Sequence, residues 1–181
     1  ILTTAINRSI LHNRSFKYYK KFLNNIENIT WIINIDFIEN EYLDKNTEIT
    51  KKNLLDIFTD KNNINFEIIE NDCGCFNKAV RNVLNRSTKY LSNIDCVLYL
   101  EDDWHHNEKK NFELFPDIEN INKDFIINLT DRIENVNDVI TNQPTLWSVN
   151  AFKNFIKVFD TIGDYKMDPE LILERNYLKI S

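Results

Sequence analysis

Short apolar runs of strand length alternate along this chain with segments whose apolar residues recur every third or fourth position. Leu2–Ile6 reads as a first strand, and Phe16, Tyr19, Phe22 and Leu23 then lay down a helical stripe that Ser15 is placed to cap. Ile29–Ile35 is nearly all apolar, the pattern of a strand buried on both faces, and it stops at Asp36. Thr50 is placed to cap a helix carrying Leu54, Leu55 and Phe58, and Phe66–Ile69 follows as a short third strand. The clearest helix carries Phe76, Ala79, Val80, Val83 and Leu84 on one face, with Gly74 just ahead of it. Ile94–Leu100 is β-branched and aromatic and runs straight into Glu101-Asp102-Asp103-Trp104, so charge begins abruptly where that strand ends.

Beyond it, Phe125–Leu129 predicts a further strand, and Asn150 is placed to cap a helix carrying Phe152, Phe155, Ile156 and Phe159. Asp168-Pro169-Glu170 has the form of a helix start: a capping side chain, a proline in the first turn, and an acid favoured by the helix dipole. Strands that alternate with helices in this way predict an α/β fold with a mostly parallel sheet flanked by helices, as a single domain over 1–181. The chain stops soon after its last helix start, which suggests a domain of a longer protein.

Composition narrows the partners. A net charge of −6 argues against a general nucleic-acid binder, because gripping phosphate backbones needs a surplus of Lys and Arg. No apolar run approaches the roughly 20 residues of a membrane helix, so no membrane span is expected and the chain reads as soluble. Three cysteines, with Cys73 and Cys75 too close together to staple distant segments, do not make a disulfide framework. The sequons at Asn7 and Asn128 fall in segments expected to be buried or in the active site. Both points favour the cytoplasm, the host's cytoplasm if the source is a virus.

The acids carry the chemistry. In an open α/β sheet, ligands collect outside the carboxyl ends of the strands, where the strand order reverses. Glu101, Asp102 and Asp103 at such an end repel one another unless a cation or hydrogen-bond donors compensate. Mg²⁺ or Mn²⁺ is the simplest compensation, since it takes a carboxylate or two and fills its other positions with water and substrate phosphate. His105 and His106 beside these acids admit a metallohydrolase arrangement, and Trp104 and Trp147 admit stacking on a sugar ring as readily as a place in the core.

A longer series of landmarks sharpens this. Leu2-Thr3-Thr4-Ala5-Ile6-Asn7-Arg8, Ile33-Asn34-Ile35-Asp36, Phe76-Asn77-Lys78-Ala79-Val80, Tyr99-Leu100-Glu101-Asp102-Asp103-Trp104, Gln143-Pro144-Thr145-Leu146-Trp147 and Asp168-Pro169-Glu170 follow in order. In that order they resemble the GT-A glycosyltransferases, specifically small viral and microbial members, whose acidic DXD motif grips a metal and the donor diphosphate. The resemblance implies a transfer from a nucleotide sugar, a UDP-sugar first among them, to a glycan hydroxyl acceptor. It implies that Thr3, Thr4, Asn7, Arg8 and Asp102 belong to the nucleotide-sugar site, that Asp36 reaches the base or ribose, and that Glu101 with Asp103 holds ribose and metal, with Asp103 the foremost metal ligand and Glu101 the second. Glu101 stands where many relatives carry Asp. By the same resemblance Glu170 is the base of an inverting reaction, with Asp168 and Glu174 as alternatives. The rivals are a metal-dependent phosphohydrolase, a nucleotidyltransferase, for which a glycine-rich loop is missing near the first strand, and a carbohydrate-binding module without catalysis.

Overall fold

The computed structural model describes residues 1–23, 26–72, 74–102, 125–128 and 144–162. In chain order the elements are β1 (Leu2–Ile6), α1 (Ser9–Phe22), β2 (Ile29–Asp36), α2 (Thr47–Ile57), β3 (Ile64–Asn71), α3 (Phe76–Ser87), β4 (Cys96–Glu101), β5 (Ile126–Asn128), β6 (Thr145–Ser148) and α4 (Val149–Ile162). The strands join in one sheet of order β3-β2-β1-β4-β6-β5. The first four strands run parallel, and β6 runs antiparallel to both of its neighbours. The expected mixed α/β class with a mostly parallel sheet is therefore present.

Strand periodicity distributes the core over two faces. Trp31, Ile33 and Ile35 of β2 and Leu98 and Leu100 of β4 join Phe16, Tyr19, Leu23, Leu54, Ile57 and Phe58 from α1, α2 and its end. Trp31 is fully buried there, stacked against Phe16 and Phe66 with Phe58 edge-on. The alternate residues Ile32, Val97 and Tyr99 face α3 and α4, meeting Val80, Val83, Leu84, Phe152, Phe155 and Phe159. Trp147 belongs to this second cluster, packed on Phe152 and Phe155, so of its two sequence readings the core one holds.

Several boundaries differ from those the pattern predicts, and at the three helix starts a polar group closer to the turn accepts the first amides. Helix α1 begins at Ser9, and Ser15 lies fully buried inside it. Helix α2 begins at Thr47, where Asn46 accepts a bond from the Ile49 amide; Thr50 lies one turn further in, its hydroxyl on Asp44. Helix α4 begins at Val149, with the Ser148 hydroxyl accepting from the Ala151 amide, so Asn150 is already helical. Strand β4 begins at Cys96 and not at Ile94. The helix start at Asp168 lies outside the described residues.

Candidate functional site

The chain steps outward from β1 through β2 to β3, then returns to place β4 on the opposite side of β1. The order of strands thus reverses between β1 and β4, and parallel pairing delivers their carboxyl ends to one edge. Register makes this concrete: Thr4 lies level with Asn34 on β2 and with Glu101 on β4, and Ile6 lies level with Asp36. At this edge is a cleft of about 180 Å³, walled by Thr4, Ala5, Ile6 and Arg8 from β1 and its end, by Asp36 and Ile38, and by Glu101 and Asp102. The start of α3 closes it with Gly74, Phe76 and Ala79. Gly74 has φ of 54°, a left-handed turn that glycine makes without strain as the chain enters the helix. Ile38 and Phe76 remain partly exposed and give the cleft an apolar wall.

Asp102 is only 3% exposed and is held by four donors. Arg8 grips it as a fork, Nε to Oδ2 at 2.8 Å and Nη2 to Oδ1 at 2.5 Å. His12 Nε2 lies 2.8 Å from Oδ2, and the Ile6 amide donates to the same oxygen at 3.2 Å. Burial alone would push this carboxyl up. The bonds and charges of His12 and Arg8 outweigh it, and the pKa falls below the ordinary value. A carboxylate offers about four lone-pair sites, so Asp102 is already committed within the protein.

Asp36 is the opposite case. Its carboxyl is buried, and burial raises its pKa in spite of hydrogen bonds from Asn34 and Asn71 and the nearby charge of Lys78. Asn34 donates to it at 3.3 Å, and that amide is oriented because its own oxygen accepts from Asn71 and Asn82. Glu101 is half-buried on the cleft wall, and its main-chain carbonyl accepts the Tyr19 hydroxyl at 2.9 Å.

The remaining expected residues divide between cleft and scaffold. The Thr4 hydroxyl meets that of Tyr99 at 3.0 Å, and Thr4 lines the cleft. Thr3 is turned the other way, fully buried, with its oxygen accepting from Trp31 Nε1. Asn7 is likewise fully buried: it donates to the carbonyls of Ile38 and Asp44 and accepts from the Ile38 amide. It therefore ties down the loop after β2, and Asp44 in that loop accepts in turn from the Ser9 amide and hydroxyl. Asp103, Trp104, His105, His106, Asp168, Glu170 and Glu174 lie outside the described residues.

His12 escaped the reading of the sequence. The available signal was its place four residues after Arg8, which puts both on one face of a helix that leaves the acid-bearing edge.

Among the described residues no group of three or more metal-ligating side chains gathers. The cleft wall does present Asp36 and Glu101, oxygen donors of the kind a hard divalent cation accepts while keeping water and phosphate as further ligands. No helix among the described residues is long and apolar enough to cross a membrane. No protein-family profile, curated protein or solved structure matches the chain.

Proposed function

We propose that this chain is a metal-dependent glycosyltransferase of the GT-A type that moves a sugar from a nucleoside diphosphate sugar, a UDP-sugar, to a hydroxyl of a glycan acceptor. The observation that carries the reading is the acid-lined cleft at the reversal between β1 and β4, with Asp36, Glu101 and Arg8 on its wall. The mostly parallel sheet with helices on both faces agrees with the fold that the order of sequence landmarks implies.

Charge explains why a metal belongs to this reading. A diphosphate is repelled by a wall of carboxylates, and Arg8, the one cation among the described lining residues, is already paired with Asp102. Mn²⁺ or Mg²⁺, held by Asp103 with Glu101, would supply the missing positive charge and stabilise the departing diphosphate as a Lewis acid. The chain's own residues do the rest. Asp36, with its orientation set by Asn34, accepts hydrogen bonds from the ribose or base. Thr4 and the apolar Ile38 and Phe76 shape the wall the nucleoside lies against, and Arg8 draws in the anion. Glu170, or else Asp168 or Glu174, removes the proton of the acceptor hydroxyl in an inverting displacement.

The test is calorimetry of UDP, GDP and CDP, each with and without Mn²⁺, on wild type and on Asp103→Ala. Binding of one nucleotide only with metal, abolished by the substitution, supports the reading. Binding of none of them overturns it. With a turnover assay in hand, release of nucleoside diphosphate distinguishes transfer from hydrolysis of the diphosphate, and the anomeric configuration of the earliest product tests inversion.

A further inference from the structure

The site residue that the sequence did not single out is also the one with an unexplained feature. His12 is fully buried in the helical face that otherwise carries Phe16 and Tyr19, and lies edge-on to Phe16 at 5.2 Å. Its Nε2 faces Asp102, but its Nδ1 is buried with no hydrogen-bond partner among the described residues. An unmatched polar atom in a core costs stability, and leucine or phenylalanine would fill the same stripe without that cost. Packing therefore does not account for a histidine here, whereas the Nε2 contact does.

The hydrogen on Nε2 follows from the neighbours of the ring. Asp102 accepts from Arg8 and from the Ile6 amide as an ionised carboxylate, so the nitrogen facing it must be the one that carries hydrogen. His12 is thereby a donor to the same Oδ2 that accepts from Arg8 Nε and the Ile6 amide.

We propose that His12 is a positioning residue: its Nε2–H fixes the plane of the Asp102 carboxylate, and through it the Arg8 guanidinium on the wall of the cleft. Two of Arg8's five N–H donors are used on Asp102, and both are in the plane of the guanidinium. Rotation of the carboxylate would therefore swing the guanidinium with it. The consequence for ligand binding rests on the glycosyltransferase reading, but the consequence for Arg8 does not.

The test compares His12→Gln, whose amide reaches as far as Nε2, with His12→Asn, which reaches only as far as Nδ1, and with the apolar His12→Leu. Two signals are read: the Arg8 Nε–H resonance by NMR, and the affinity for UDP with Mn²⁺ by calorimetry. In wild type the imidazole nitrogen shifts should show hydrogen on Nε2. His12→Gln should keep the hydrogen-bonded Arg8 resonance and near wild-type affinity. His12→Asn and His12→Leu should broaden or lose that resonance and bind about tenfold more weakly, although they are no less folded by circular dichroism. An Arg8 resonance unchanged in His12→Asn and His12→Leu would overturn the proposal, as would an Nε2 without hydrogen in wild type, a measurement that needs no variant to fold. Should wild type bind no UDP, the glycosyltransferase reading fails, and the Arg8 resonance alone still decides the role of His12.

Discussion

Arg8 and Asp102 stand 94 positions apart in the chain and meet through two parallel bonds, Nε to Oδ2 at 2.8 Å and Nη2 to Oδ1 at 2.5 Å. This pair joins the end of β4 to the turn between β1 and α1, so the wall of the cleft and the sheet beneath it hold each other in place. Breaking one side of a mostly buried pair strands the other charge, at a cost of up to about 3–5 kcal/mol and toward the lower end here, because 20% of the Arg8 side chain stays exposed. Asp102→Asn and Arg8→Met should each lose stability of that order in urea denaturation. Their double mutant should lose far less than the sum, because both charges leave together. Additive losses would mean that the two side chains are independent in solution.

Protonation gives the two buried acids of the cleft opposite signatures. Asp102 has a folded pKa below the ordinary 3.8, so it contributes stability above that value and loses the contribution as pH falls through its lower folded pKa. Asp36 has a folded pKa above 3.8, so the native state binds its proton more tightly than the unfolded chain does. It therefore destabilises the fold increasingly as pH rises from 3.8 through its folded pKa. Asp36→Asn should be more stable than wild type at neutral pH, with the gap closing as pH falls toward 3.8, and should lose nucleotide binding. A variant less stable than wild type at neutral pH would contradict this assignment; melting temperatures across a pH series measure it.

Asn7 is predicted to act on the loop after β2 and not on a ligand directly. Asn7→Ala leaves the Ile38 amide and the Ile38 and Asp44 carbonyls short of a partner. Each of these part-buried groups, once stranded, costs up to about 1–3 kcal/mol. Limited proteolysis should then cut between Glu39 and Lys45 well before the sheet unfolds, while wild type resists. Equal cleavage rates would show that the loop is held by other contacts.

The alternation of apolar runs was enough to anticipate the class and most of the described strands and helices, because burial on both faces of a parallel sheet leaves a near-continuous apolar signature such as Ile29–Ile35. Strand β6 did not announce itself: Thr145–Ser148 is short, and its pairing with Cys96–Tyr99 is a tertiary fact with no local pattern. The helix starts slipped for a similar reason. Ser15 and Thr50 are good caps by type, but the turns lie nearer Ser9 and Thr47, where Asp44 and Asn46 accept the first amides. At the site, the sequence pointed to the acids at the end of β4 and to Asp36. Whether an acid faces the cleft or the scaffold depends on donors brought from elsewhere in the chain, so the fourfold grip on Asp102 and the part played by His12 needed the fold.

Metal and nucleotide together should stabilise the fold, and the acids nearest the cleft should control that effect. A ligand at about 100 times its Kd adds about 2.7 kcal/mol to a protein that binds it only when folded. For a domain of this size that corresponds to a rise in Tm of about 5–10 °C. Wild type with Mn²⁺ and UDP should show such a rise, UDP alone or excess EDTA should abolish it, and Glu101→Gln should reduce it. Asp103→Ala should remove it without lowering the Tm of the ligand-free protein, since a metal ligand stabilises the fold only when its metal is bound. Asp102→Asn should do the reverse, with a low ligand-free Tm and a rise that survives at temperatures where the variant is folded. If the rise survives in both Glu101→Gln and Asp103→Ala, the metal binds elsewhere, and the cleft at the reversal between β1 and β4 is not where the diphosphate lies.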